Sequence, residues 1–172
     1  MPPPAPAPLH QGVTFEANLG FGLVHVTDSG SSVSLDTNMA LAGVNLGIGG
    51  WISPRTALTF RVSDVDVRID NAQNGTVVAA FLGPSIQYWT DSNIWFGAGA
   101  GLATLVAITN CSGNCSNNGF GLDLRLGYTF PSTALSTFNV SLEMTPGFYG
   151  GTNGSSGGTA TGVALLVGYQ HL

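Results

Sequence analysis

The sequence predicts an all-β chain, an eight-stranded antiparallel up-and-down transmembrane β-barrel. Three observations predict it. Only 8% of the 172 residues are charged, against about 25% in ordinary soluble domains. Apolar residues alternate with small or polar ones in eight separate segments, and period two marks strands with two unlike faces. Each segment is about ten residues or longer, which suits a tilted strand crossing a bilayer and exceeds the five or six usual in soluble sheets.

The composition excludes other classes. There are four Arg and no Lys against nine acids, a net charge of −5. A nucleic-acid surface needs a basic patch that four Arg cannot build. Disorder needs low hydrophobicity, and 44% of this chain is apolar. A soluble monomer needs a charged skin that this chain can barely supply. Glycine occurs 25 times, roughly twice its usual share.

The first strand sets Phe15, Ala17, Leu19, Phe21 and Leu23 against Glu16, Asn18, Gly20 and Gly22. The second sets Ala40, Ala42, Val44, Leu46 and Ile48 against Leu41, Gly43, Asn45, Gly47 and Gly49. In the third, Leu58, Phe60 and Val62 alternate with Thr59, Arg61 and Ser63. The apolar parity then passes to Val65, Val67 and Ile69, which predicts a β-bulge near Ser63–Asp64. In the fourth, Val78, Ala80, Leu82, Ile86 and Tyr88 oppose Ala79, Phe81, Gly83, Ser85 and Gln87. The stretch from Ile94 to Thr109 is apolar enough to suggest a membrane helix. It alternates, however, with Trp95, Gly97, Gly99, Gly101 and Ala103 on one parity, so it reads as the fifth strand. Phe120 to Phe130, Phe138 to Met144 and Val163 to Tyr169 supply the last three by the same alternation.

The connections alternate in length. The second, fourth and sixth (Ile52–Arg55, Trp89–Asn93, Pro131–Ser136) are short. Of the other four, three are long and rich in Gly, Ser, Asn and Thr. Short turns at one end and long loops at the other describe a bacterial outer-membrane barrel with its turns and termini in the periplasm. The aromatics gather beside the short turns. Trp51, Trp89, Trp95, Tyr128 and Tyr169 are therefore expected to form an aromatic girdle at the headgroups.

On these patterns the chain resembles the small eight-stranded outer-membrane barrels of the OmpA/OmpX type. The resemblance covers about residues 13–172 and rests on pattern, not on a local motif. Val163, Leu165, Val167 and Tyr169 fit that family's alternating last strand, whereas the terminal Gln170-His171-Leu172 departs from its usual final Phe or Trp. Residues 1–12 form a Pro-rich tail expected in the periplasm. Met1 runs straight into PPPAPAP with no basic start and no apolar run, so Met1 is expected to replace a removed export signal. Outer-membrane lipid and lipopolysaccharide are the expected partners, with an unidentified extracellular or envelope protein as a further one. A monomer without a cofactor, a metal or a nucleic-acid partner is expected.

If the apolar parity faces lipid, the other parity lines the lumen. It holds Glu16, Arg61, Asp123, Arg125 and Glu143. Charges buried in so narrow a tube must pair, so an ion-pair network plugging the lumen is expected, as in the OmpA type. A gate that opens by exchanging partners is the sharper alternative. Glu16 with Glu143 also has the make-up of an acid/base pair, but a plugged lumen admits no substrate. Cys111 and Cys115 enclose three residues in a loop and are expected to form a disulfide, with free thiols or half a metal site as alternatives. Asp64, Asp66 and Asp70 could meet a divalent cation beside lipopolysaccharide phosphates, although a solvated strand extension is the simpler reading. His25 lies near Ser31, Ser32 and Ser34 at the outer rim, but no nucleophile elbow is present. The expected function is structural, or surface interaction and adhesion through the loops, without enzymatic activity. A small pore and a lipid-modifying enzyme are the alternatives.

Overall fold

The computed structural model describes residues 11–28, 31–34, 40–69, 75–90, 92–108, 116–131, 136–150 and 157–172. They form nine strands: β1 (Val13–Asp28), β2 (Ser31–Ser34), β3 (Ala40–Ser53), β4 (Thr56–Ile69), β5 (Gly75–Trp89), β6 (Ile94–Ile108), β7 (Ser116–Pro131), β8 (Ser136–Tyr149) and β9 (Gly158–His171). Consecutive wall strands pair antiparallel, and β9 pairs back to β1. The short β2 pairs with the far end of β1, from His25↔Ser34 to Asp28↔Ser31, and only lengthens the first hairpin. Eight strands therefore make a closed up-and-down barrel. Closure leaves no wall strand with an unpaired edge, the condition for a sheet to sit in lipid.

The register fixes the tilt. From Ala17 the ladder passes through Leu46, Val62, Leu82, Leu102, Phe120, Phe148 and Thr159 and returns to β1 at Thr27, ten residues further on. With about 3.3 Å per residue and about 4.8 Å between strands, that stagger inclines the strands by about 40°. A strand of 14 residues, such as β3, then rises about 35 Å, more than the hydrocarbon core of about 30 Å.

The two faces have opposite chemistry. Leu19, Ile48, Phe60, Leu126, Leu142 and Leu165, from six different strands, are all exposed on the outer wall. An apolar band around the whole circumference is unsuited to water and suited to lipid. Tyr128 and Tyr169 lie on this face near the short turns, each edge-on to a neighbour, Phe130 at 5.0 Å and Phe138 at 6.0 Å. The three Trp do not join them. Trp89 and Trp95 are 5% and 0% exposed inside the lumen. Trp51 is half-buried, with its ring 6.0 Å from Trp89, and Trp89 stacks on Trp95 at 6.3 Å. Parity is the reason, because all three fall on the inward positions of their strands. The expected girdle thus loses its tryptophans, which plug the short-turn end from within.

The predicted bulge is also displaced. The β4–β5 register runs unbroken through Ser63↔Phe81, Asp64↔Ala80 and Val65↔Ala79. The irregularity lies across the ladder, where Asn18↔Asn45 is followed by Gly20↔Ala42, an extra β3 residue at Gly43–Val44. Val65 and Val67 keep their inward parity. With Val24, Val77, Ala79, Ala164 and Leu166 they fill the lumen at the long-loop end. The parity switch in the sequence records a change in what the lumen contains, not a slip of the chain.

Two prolines interrupt the wall. The β5–β6 pairing lapses at Pro84, between Leu82↔Leu102 and Ser85↔Gly99. The β7–β8 pairing lapses at Pro146, between Gly121↔Gly147 and Leu124↔Met144. Each proline stays paired on its other side, Phe60↔Pro84 and Pro146↔Thr161. A residue without N–H can sit in a sheet only where a rung can be given up. At Pro84 the outer wall carries a groove of about 420 Å³ among Leu58, Pro84, Ile86, Ala98 and Ala100.

Glycines make the bore wide enough for its contents. A Cβ at Gly97 would lie 2.8 Å from the Arg125 guanidinium, and one at Gly47 would lie 3.0 Å from that of Arg61. One at Gly127 would enter the Trp95 indole, which is held between Trp89 and Arg125. Gly127→Ala is therefore expected to destabilise the barrel by about 1–3 kcal/mol through overpacking. Gly150→Ala, where nothing lies within 4 Å, should stay within about 0.5 kcal/mol. Denaturant unfolding of both variants in lipid vesicles measures the difference.

Candidate functional site

The five luminal charges predicted from parity meet at one level of the bore. Glu16 comes from β1, Arg61 from β4, Asp123 and Arg125 from β7, and Glu143 from β8, and all are buried. Inward parity aims each one at the axis. The stagger of the ladder brings residues as distant as Glu16 and Arg125 within reach.

Arg61 touches all three acids. Its Nη1 donates to Glu16 Oε2 at 2.6 Å, its Nε lies 3.5 Å from Asp123 Oδ2, and its Nη2 lies 3.6 Å from Glu143 Oε2. Arg125 spans two of them, with Nη1 3.2 Å from Glu16 Oε2 and Nε 3.1 Å from Asp123 Oδ2. Its Nη2 donates to Ser85 Oγ at 2.8 Å, and its guanidinium stacks 5.4 Å from the centre of the Trp95 ring. Neutral groups complete the cluster. Asn18 Nδ2 donates to Glu16 Oε1 at 2.6 Å. Asn45 accepts from Arg61 Nη2 and donates to Glu143 Oε2, and the Ser63 hydroxyl donates to Glu143 Oε1. Six strands thus supply polar side chains. β6 and β9 supply space through Gly97, under Arg125, and Gly168, under Asn18.

Toward the short turns a second polar set continues the fill. Gln87 and Gln170 exchange amide hydrogen bonds at 3.3 Å, and Gln170 Nε2 donates to Thr14 Oγ1 at 3.2 Å. Toward the long loops the lumen is apolar. Ser63 and Ser85 were missed as partners in the sequence. Their inward parity was visible, but nothing there separates a bonded serine from a spacer.

The other predicted sites fare differently. Asp64 and Asp66 lie half-buried on the outer face of β4, and Asp64 abuts Gly43. Asp70, Cys111 and Cys115 lie outside the described residues, as does the tail over residues 1–10. No group of three His, Cys, Asp or Glu among the described residues is placed to hold a metal ion. His25 is exposed, its Nε2 3.2 Å from the Thr27 hydroxyl.

A closed eight-stranded wall, apolar outside and packed with paired charges inside, defines a small transmembrane β-barrel. Its fold is that of the small outer-membrane proteins. Neisserial surface protein A (NspA) superposes with a TM-score of 0.61 at 14% identity, over 92% of this chain and 96% of that one. Ail, the attachment invasion locus protein of Yersinia pestis, superposes with a TM-score of 0.57 at 11% identity, over 91% of this chain and 97% of that one. Its complex with the heparin analogue sucrose octasulfate gives 0.55 at 12% identity, over 92% and 98%. No protein-family model matches the chain, and no curated protein matches it in sequence.

The hub position of Arg61 sets an order of sensitivity. Arg61→Met leaves three buried acids facing one cation, and removing one partner of a buried pair costs about 3–5 kcal/mol. Arg125→Met should cost less, because Arg61 still reaches all three acids, whereas Arg61→Met leaves Glu143 with the neutral Asn45 and Ser63 alone. Unfolding midpoints in lipid vesicles test this ranking, and equal losses would contradict it.

Proposed function

We propose that this chain is a non-enzymatic outer-membrane barrel with a closed lumen that acts at the cell surface through its long loops. In this reading the short turns and both termini face the periplasm. The outer wall meets membrane lipid and lipopolysaccharide, and a monomer suffices because the wall has no open edge. The observation that carries the reading is the filling of the bore from end to end. Valines and leucine occupy one end, the charged cluster the middle, and tryptophans and glutamines the other. With the described bore occupied by side chains, the role in this reading falls to the loops and rims. A surface protein and an attachment protein among the structural neighbours support this direction.

The charge distribution narrows the partner. Arg61 and Arg125 are consumed inside, and Arg55 lies at a short turn. Of the four Arg only Arg68 stands toward the long loops, on a chain of net charge −5. Such a surface has little to offer a sulfated glycan of the kind that Ail holds. Cells displaying the protein are expected to adhere in a manner that heparin does not compete and that deleting residues 109–115 weakens. Planar-bilayer recording of the wild type should show no conductance steps, and steady steps would remove the closed-lumen reading.

The groove at Pro84 favours a second reading, passage of small apolar solutes through the wall where the ladder lapses. Vesicles containing the protein would then take up such solutes, and Pro84→Val would abolish uptake. Equal uptake by protein-free vesicles removes this reading.

A further inference from the structure

The charged cluster does not balance. Three carboxylates, Glu16, Asp123 and Glu143, face two guanidinium groups, and among the described residues no other cationic side chain is buried. Arg cannot surrender its proton in a protein, so the side chains alone would leave one uncompensated negative charge in a tube walled by lipid. Such a charge is costly.

The geometry locates the surplus. Arg61 gives one nitrogen, Nη1, to Glu16 at 2.6 Å. The edge formed by its Nε and Nη2 is shared by two different acids, Asp123 Oδ2 at 3.5 Å and Glu143 Oε2 at 3.6 Å. That edge suits a single bidentate carboxylate, so two acids crowd where one negative charge is matched. Asp123 has one further cationic contact, Arg125 Nε at 3.1 Å. The remaining contacts of Glu143 are the neutral Asn45 and Ser63. Asp123 Oδ1 is buried without a hydrogen-bond partner.

We propose that Glu143 carries a proton at neutral pH, so that the cluster holds two positive and two negative charges. Two carboxylates set against one guanidinium edge leave one negative charge unmatched, and a proton on the acid with neutral neighbours removes the conflict. The charged groups that face the pair are Glu16 on β1, Arg61 on β4 and Arg125 on β7. An alkali ion between the same carboxylates would supply the same single charge. The sign of the pH effect follows. The folded barrel holds a proton that the unfolded chain releases above the ordinary carboxylate range, so stability should fall as the pH rises from that range until the folded protein releases the proton too. The inference rests on the cluster alone and stands or falls apart from the surface role.

Infrared spectroscopy of the folded protein in lipid vesicles at neutral pH tests it. The expected result is a carboxylic-acid C=O band that falls to baseline in Glu143→Gln and in Asp123→Asn and persists in Asp91→Asn, a change between β5 and β6. Glu143→Gln should also flatten the fall of the unfolding midpoint with rising pH. Heat-modifiable gel migration checks that each variant is folded. If either variant fails to fold, the wild-type band and its loss as the pH rises decide. Absence of the band in the wild type, or its survival in both folded variants, overturns the proposal. Replacing sodium by tetramethylammonium at fixed ionic strength should leave band and midpoint unchanged. A midpoint that drops on that exchange, with no acid band, assigns the charge to an alkali ion and also overturns the proposal.

Discussion

The bore of an eight-stranded cylinder is just wide enough for its own side chains, and this volume limit governs the molecule. A large inward residue fits only if its partner on the neighbouring strand gives up its side chain. Arg61 lies over Gly47, Arg125 over Gly97, Trp95 over Gly127 and Asn18 over Gly168. The abundance of glycine is the counterpart of a few large inward groups. The scarcity of charge has the complementary cause, because the opposite face of every strand meets lipid, where a charge would be costly. Two unusual features of the composition are thus the two faces of one closed sheet.

That limit explains what could be read from the chain beforehand. Period-two alternation placed all eight wall strands, since a closed sheet between lipid and lumen leaves no position free of the pattern. It also placed the five luminal charges. The tryptophans depart from the expected girdle because parity, not nearness to a turn, decides which face a side chain takes, and Trp95 shares its parity with Gly97, Gly99 and Gly101. The bulge was misplaced for a related reason. A change in luminal content at Val65 looks, in one strand, the same as a slip, and only the register with the neighbouring strands separates them. The pairing within the cluster was not legible at all. Glu16 and Arg125 are 109 positions apart, and their meeting depends on the stagger, which no single strand encodes.

The lumen is layered, and the layering runs opposite to the outer wall. Toward the long loops the interior is valine and leucine, while Asp64, Asp66, His25 and Thr27 face outward. Nearer the short turns the interior is charged and amide-rich, and the outside is aromatic and aliphatic. An apolar stopper above a polar cluster excludes water from one side of the ion pairs, which strengthens them by lowering the local dielectric. The apolar packing of one end of the bore and the strength of the network beside it are therefore linked.

The two prolines have a mechanical consequence. Pro84 weakens the joint between β5 and β6, and Pro146 weakens the joint between β7 and β8. The β6–β7 hairpin is thus a stave bounded on both flanks by a missing rung, whereas its internal pairing is continuous from Ile94↔Tyr128 to Val106↔Ser116. This stave carries Trp95, Asp123 and Arg125 at its inner surface, and its two strands are connected through residues 109–115, which include Cys111 and Cys115. A load applied to that connection would be borne first by the two incomplete joints and delivered, through a continuously paired hairpin, to the charges at the centre of the bore.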